Sequence, residues 1–369
     1  MRAGKGAGLG AGLGPTVAAA MGRPHNTFTA LRLALALAVI VSHAFSITTG
    51  TLKNEPLAVS TGFTLGEHAV NGFFAVSGFL VTMSFDRRGW RDYVVARTLR
   101  IAPALVAATL VTALALGAAL TRLPLGQYFA EPGLWRFVVQ TPTTFKSATS
   151  LPGVFADNIF PYPMGTVWTL KYELFCYVGV FAAGIAGLLR RRIAALALAA
   201  ALFLAVAGLD LFHPDAGKAV QTSFRLTFLF AAGGALYLWG DRVPVSWALT
   251  LALLAATWLA AGTPLYKALL FAFEAYAVIF VALAPGLSHP ALEPGADLSY
   301  GTYLYGWPVQ QALIQLFPGA AALALLPPAI LISLIVAALS WFLVEKPALA
   351  LKARLVRAPA PAASPQPAE

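Results

Sequence analysis

The stretch RLALALAVIVSH, residues 32–43, sets an arginine and a histidine at the two ends of a run whose only other polar residue is Ser42. The apolar character continues on both sides, to about 28–49. That length suits a membrane helix, which needs roughly 20 apolar residues to cross the hydrocarbon. Eleven residues at 3.6 per turn make close to three full turns, so Arg32 and His43 share one face, roughly 16 Å apart along the axis. Ionisable side chains inside a membrane are costly and turn toward the bundle interior. Both residues are therefore functional candidates.

Runs of the same kind recur along all 369 residues. Hydrophobic residues make up 59% of the chain and charged residues 11%, against roughly 25% charged in a soluble domain. Only helices and closed barrels satisfy their backbone in lipid. Barrel strands alternate apolar and polar residues, and these runs do not. The expected fold is thus all-α, a polytopic membrane bundle of about ten helices: 28–49, 66–85, 101–120, 165–188, 193–211, 222–240, 245–261, 265–284, 299–317 and 321–343.

Positive charge then orients the bundle. With the N-terminus inside, 17 of the 25 lysines and arginines fall on the cytoplasmic side, from Arg2 and Lys5 to Arg357. Six fall outside: Lys53, Arg122, Arg136, Lys146, Lys218 and Lys267. Lys171 and Arg225 lie within helices. Both termini are expected in the cytoplasm, and the long 121–164 connection on the far side. That connection is rich in aromatics and prolines, and should hold short interfacial pieces; loops of this length are often functional. Residues 1–24, rich in Gly and Ala, read as a disordered leader without the apolar core of a signal peptide, and Met21 is a candidate start. The membrane domain is 25–347, and the Pro-rich 348–369 reads as a disordered cytoplasmic tail.

The net charge of +10 would suggest nucleic acid in a soluble chain. Here its placement is a topology signal, and no nucleic-acid partner is expected. Cys176 is the single cysteine, so no internal disulfide can form, and no Cys/His cluster has metal-ligand spacing. No metal is expected.

The remaining intramembrane charges are few. Lys171 and Glu173 lie in the 165–188 run, Arg225 in 222–240, and Glu274 in 265–284. Glu67, His68 and Asn71 stand near the outer end of 66–85. Trp168 marks an outer interface, and Glu173 lies five residues deeper, roughly 7.5 Å. His43 is at similar depth, so a His43–Glu173 pair is geometrically open. It would orient the imidazole and favour its charged form. Arg225 has Glu173 and Glu274 as alternative partners, and a structural ion pair with Glu274 is expected.

Six motifs carry a resemblance. NGFFAVSGFLVTMSF at 71–85 resembles the FFxxSGFL stretch of the bacterial membrane-bound acyltransferase family 3, which contains the O-acyltransferases of surface polysaccharides and related glycans. ARTLRIAPAL at 96–105 resembles its RxxRIxP segment. The Arg32–His43 spacing resembles the family's first-helix pattern. VWTLKYELFCY at 167–177 resembles W-S/T-L-x-x-E-x-x-x-Y, SYGTYLYGWPV at 299–309 resembles SYxxYLxHxPV, and VEKP at 344–347 resembles the closing I/V-E-x-P. The matches run in order across nearly the whole bundle. One departure is Gly306, where many members carry a histidine; a mechanism needing a second histidine there is put in doubt.

The resemblance implies a ten-helix transferase of the bacterial inner membrane. Its donor would be cytoplasmic acyl-CoA, by default acetyl-CoA, and its acceptor a carbohydrate or glycolipid. Arg97 and Arg100, three apart and near one face, would take the CoA phosphates, because the guanidinium fork makes paired charge-assisted bonds. Arg32 would hold the entrance. Ser77-Gly78 would allow close approach of the pantetheine arm or of a neighbouring helix. His43 would act as general base on the acceptor hydroxyl, or be acylated itself. Glu173 would orient His43, or organise an acceptor pocket with Tyr172 and Tyr177; Trp168 and Asn71 complete the expected acceptor side. The alternative class is a proton-coupled transporter or flippase, which aligned intramembrane charges also suit.

Overall fold

The computed structural model describes residues 14–356. The expectations for 1–13 and 357–369, including Arg2, Lys5 and Arg357, lie outside the described residues. Among the described residues the regular structure is helical, with one isolated bridge between Thr16 and Pro244. Each expected apolar run coincides with helix. In chain order the main elements are α1 Phe28–Thr49, α2 Leu65–Leu110, α3 Pro132–Thr144, α4 Leu170–Ile185, α5 Arg192–Phe212, α6 Lys218–Leu238, α7 Trp247–Leu259, α8 Tyr266–Leu283, α9 Ser299–Leu316 and α10 Ala322–Ser340.

Five helical stretches are long and apolar enough to cross a membrane: Phe28–Thr49, Leu65–Leu120, Arg192–Phe212, Tyr266–Leu283 and Ala322–Leu355. The second holds two of the expected runs. It breaks at Gly89 (φ 78°, ψ 175°), a backbone conformation that glycine alone adopts freely. Around this break α2 folds back on itself: the Phe85 and Tyr93 rings meet edge to face at 5.3 Å. Local signals set the other ends. Thr64 and Glu67 form a reciprocal capping box that starts α2. Gly50, left-handed at φ 76°, ends α1.

The centre of the bundle is the contact of α2 with α6. A Cβ on Gly78 would stand 1.9 Å from the Phe230 carbonyl oxygen, and one on Gly233 2.0 Å from that of Ala75. The two backbones therefore touch, as small residues allow between membrane helices. Gly78 thus serves a neighbouring helix, leaving the adjacent Ser77 free to face a cavity.

The 121–164 connection is a packed cap. It carries a short helix, Leu125–Ala130, and then α3. Tyr128, Phe137 and Phe155 are fully buried in it, and the Tyr128 hydroxyl donates to the Ala113 carbonyl at 2.7 Å.

Both ends of the expected membrane domain are corrected. From residue 14 the leader is folded: Val17–Met21 is helical, Val17 and Ala20 are buried, and the Val17 N–H donates to the Val243 carbonyl at 2.9 Å. Apolar side chains on one face of a single turn suffice to dock it. The expected tail at 348–369 is helical as far as Leu355, because α10 continues through a π-helical turn, Trp341–Glu345, into Lys346–Leu355. Lys352 anchors that extension on Asp92 at 2.7 Å.

Candidate active site

Five of the sequence-derived candidates line one cavity of about 350 Å³: Arg32 of α1, Ser77, Arg97 and Arg100 of α2, and Glu173 of α4. The fold-back at Gly89 is what brings Ser77 and the two arginines, far apart in sequence, to the same level. Tyr177 ties them together. Its hydroxyl donates to Glu173 Oε1 at 2.5 Å and meets Ser77 Oγ at 3.4 Å, and the Arg97 guanidinium lies 5.7 Å from its ring centroid. Ser77 Oγ also donates to Glu173 Oε1, at 3.2 Å. Arg97 Nε is buried without a hydrogen-bond partner. A buried donor left unspent is costly, which fits a cavity waiting for an acceptor-rich group.

The other two arginines are already committed. Arg32 Nη1 and Arg100 Nη2 each donate to Asp297 Oδ2 at 2.8 Å. Arg100 Nη1 stands 3.6 Å from Glu345 Oε2, and its guanidinium lies 5.6 Å from the Tyr300 ring centroid. Burial pushes the Asp297 carboxyl up, but the two guanidiniums and the bonds from Ser299 outweigh it and hold the carboxyl at about 2. Asp297 and Glu345 were not among the sequence candidates. Their signal was position: Asp297 lies two residues before the SYGTYL motif, and Glu345 is the glutamate of VEKP itself.

His43 lies apart from this cavity, and its expected partner is corrected. Its Nδ1 stands 3.4 Å from Glu55 Oε1, while Glu173 is engaged by Ser77 and Tyr177. Glu55 is buried in the 50–64 connection, and its second oxygen accepts from Ser42 Oγ. Burial pushes the Glu55 carboxyl up, but the His43 and Ser42 bonds outweigh it and leave it below the usual carboxylate value. The His43 ring packs edge-on against Trp307, centroids 5.1 Å apart. Trp307 follows Tyr303, a wall residue of the cavity, by one helical turn on α9. His43 lines neither this cavity nor the larger pocket described below. No sequence signal marked Glu55, because it sits in a loop and its partners are twelve or more residues away. Gly306, the departure from the family pattern, packs on α1: a Cβ there would be 2.7 Å from Ile40 Cγ1.

A second, larger pocket of about 580 Å³ opens at the opposite end of the bundle, where the ends of α5, α6 and α8 meet the 52–64 segment. Trp168 and Tyr172 line it, with Glu67, Arg225, Asp210 and Lys267. Arg225 pairs with Glu67 at 2.9 Å, which corrects both alternatives read from the sequence, Glu173 and Glu274. Glu274 instead takes His68 Nδ1 and, at 2.7 Å, Asn71 Nδ2. Asn71 thus spends Nδ2 on Glu274, keeps a buried Oδ1 without a partner, and lines neither pocket.

The two cavities nearly meet. On α4 and the turn before it, Trp168 and Tyr172 face the larger pocket while Thr169 and Glu173 face the smaller. On α2, Glu67 faces the larger and Val70 the smaller. Three residues, roughly 4.5 Å of rise, separate those last two.

Fold and site thus define a helical membrane protein with an arginine-lined cavity and an aromatic pocket on either side of one helix wall. A family model described as an acyltransferase domain matches residues 26–344, and the chain belongs to that family, acyltransferase family 3. It is 26% identical over 340 residues to an O-acetyl transferase of Shigella phage Sf6, covering 87% of this chain and 95% of that one. It is 30% identical over 371 residues to nodulation protein 10 of Rhizobium leguminosarum bv. viciae, covering 90% and 95%. No solved structure gives a significant match.

Proposed function

We propose that this acyltransferase moves an acyl group, by default acetyl, from cytoplasmic acyl-CoA to a hydroxyl of a carbohydrate or glycolipid on the far side of the bacterial inner membrane. The observation that carries the reading is the convergence of Arg32, Arg97 and Arg100 with Ser77 and Glu173 on one cavity. Its volume, about 350 Å³, is at the low end for small-molecule sites. It suits the acyl-pantetheine arm, with the nucleotide and its phosphates at the arginine end. Arg97, with its unspent donor, is the phosphate ligand of first choice; Arg32 and Arg100, held by Asp297, supply field and shape.

In the reaction the acceptor oxygen attacks the thioester carbonyl, its proton passes to His43, and the C–S bond breaks to release CoA. Glu55 orients His43 through Nδ1 and supports the positive charge it gains. Glu173 holds Ser77 and Tyr177 in the donor wall. The ten-span topology with both termini cytoplasmic belongs to the same proposal and rests on the charge distribution. Cysteines at Lys53 and Arg190, in a Cys176→Ala background, should label from opposite sides of sealed vesicles; labelling from one side refutes it.

The test is CoA release from acetyl-CoA by purified chain in nanodiscs, with and without envelope glycans of the host. Wild-type protein should release CoA, and His43→Ala should not while still inserting. Near-normal release by His43→Ala removes the base from this residue. Absence of both release and acetyl-CoA binding moves the reading to the carrier class.

A further inference from the structure

The larger pocket is built for a negatively charged ligand. Its walls carry four cationic side chains, Lys53, Lys218, Arg225 and Lys267, against two carboxylates, Glu67 and Asp210. Arg225 is taken by Glu67 and Lys267 by Asp210. Lys53 and Lys218 are exposed and, among the described residues, have no carboxylate within ion-pair distance. The pocket thus keeps two cations uncompensated.

Arg225 adds an independent sign. It is 5% exposed and its guanidinium lies 5.3 Å from the Phe63 ring centroid, yet among its nitrogens only Nη1 is hydrogen-bonded, at 2.9 Å to Glu67, and Nε is buried without a partner. A guanidinium buried at this depth normally spends its whole fork. One left half-spent in a pocket wall points to an oxygen-rich ligand. The remaining wall is suited to sugar. Trp168, edge to face with Tyr172 at 5.9 Å between centroids, offers an apolar ring, the Lys171 ammonium lies 4.9 Å from the Tyr172 centroid, and Gln221 and Thr222 offer hydrogen-bonding groups. A neutral glycan would need the aromatics and amides but not two spare lysines; a bare anion would need the cations but not the rings.

We infer that the acceptor is an anionic saccharide, bearing a phosphate or a carboxylate, whose charge is taken by Lys53, Lys218 and the unspent edge of Arg225 while its ring lies on Trp168. This rests on the reading of the chain as an acyltransferase with its acceptor in this pocket. Long-range attraction into a concave basic pocket also raises the encounter rate of such a ligand.

The experiment is direct binding to the full-length chain in nanodiscs of neutral lipid, with no acyl donor present. Glucose 1-phosphate, glucuronic acid and glucose are the probes, so the phosphate and carboxylate arms are read separately against a neutral sugar. At least one charged sugar should bind roughly fivefold or more tighter than glucose, in keeping with two exposed charge contacts. The Lys53→Gln/Lys218→Gln variant should erase that preference, as should high salt. Trp168→Ala should weaken charged and neutral sugars alike. Equal binding of glucose and both charged sugars, no binding of any charged sugar, or a preference that survives in the double variant overturns the inference. Acetyl-CoA binding and CoA release, followed in parallel, keep the two readings apart. Lost donor binding with the charge preference intact overturns the transferase and leaves the anion pocket standing. Intact CoA release with no charge preference does the reverse.

Discussion

Asp297→Asn is the substitution whose cost the structure states most directly. The side chain carries one formal charge and receives two guanidiniums on the same oxygen, both at 2.8 Å. A carboxyl held at about 2, against an ordinary 3.8, corresponds to about 2–3 kcal/mol of folding stability at neutral pH. A second route gives a similar figure, since removing one partner of a buried ion pair costs about 3–5 kcal/mol. Because the folded carboxyl lies below its unfolded value, the contribution is complete above about pH 4 and is lost as the pH falls toward about 2. Equilibrium unfolding in mixed micelles, followed by tryptophan fluorescence, should therefore show Asp297→Asn less stable than wild type by about 2–4 kcal/mol at pH 7. The gap should close on acidification from about pH 4 to about pH 2. A gap below about 1 kcal/mol, or one that does not depend on pH in that window, would mean that Asp297 does not organise Arg32 and Arg100.

Three further outcomes are expected. Glu55→Gln should lower kcat for CoA release about tenfold, the worth of one charge-assisted bond, with KM for acetyl-CoA unchanged and Glu55→Asp partly recovering it; a changed KM with constant kcat would place Glu55 in donor binding instead. Gly78→Ala sets a methyl 1.9 Å from the Phe230 oxygen, so it should destabilise the α2–α6 contact by about 1–3 kcal/mol or more, read in the same micelle titration; an unchanged midpoint contradicts the contact. Cys176 is buried, so it should resist maleimide in folded protein and react once SDS unfolds it; rapid labelling of the folded chain would show the α4 face to be open.

Helices were legible in the sequence and partners were not. Uninterrupted apolar runs fix helix positions through length alone, and the observed bounds of α1, α5 and α8 lie within a residue or so of the expected ones. The gathering of Arg32, Ser77, Arg97, Arg100 and Glu173 was legible only as a set of costly residues, each needing something polar nearby. Which carboxylate answers which cation depends on helix rotation and on loops. Depth arithmetic put His43 and Glu173 at one level, yet Glu55 reaches His43 from a connection that no periodicity describes. Arg225 likewise took the capping residue Glu67, while Glu274 is engaged by His68 and Asn71. The described parts of the leader and tail, 14–24 and 348–356, departed from expectation for a different reason. Low complexity and proline content report weak intrinsic preference, and a docking surface supplied by the rest of the bundle overrides it.

The wall between the two cavities is about one helical turn thick, and that thickness sets what the bundle needs to move. A carrier must open a path as wide as its whole cargo, and then seal it against ions. Under the transfer proposed above, a small acyl group would have to cross only the space between neighbouring side chains, with its donor held on one side and its acceptor on the other. Side-chain rotations in such a wall, rather than a rocking of half the protein, would suffice for that crossing. The membrane's ion barrier could then stay intact through every turnover, with the cost of each crossing confined to a few bond rotations.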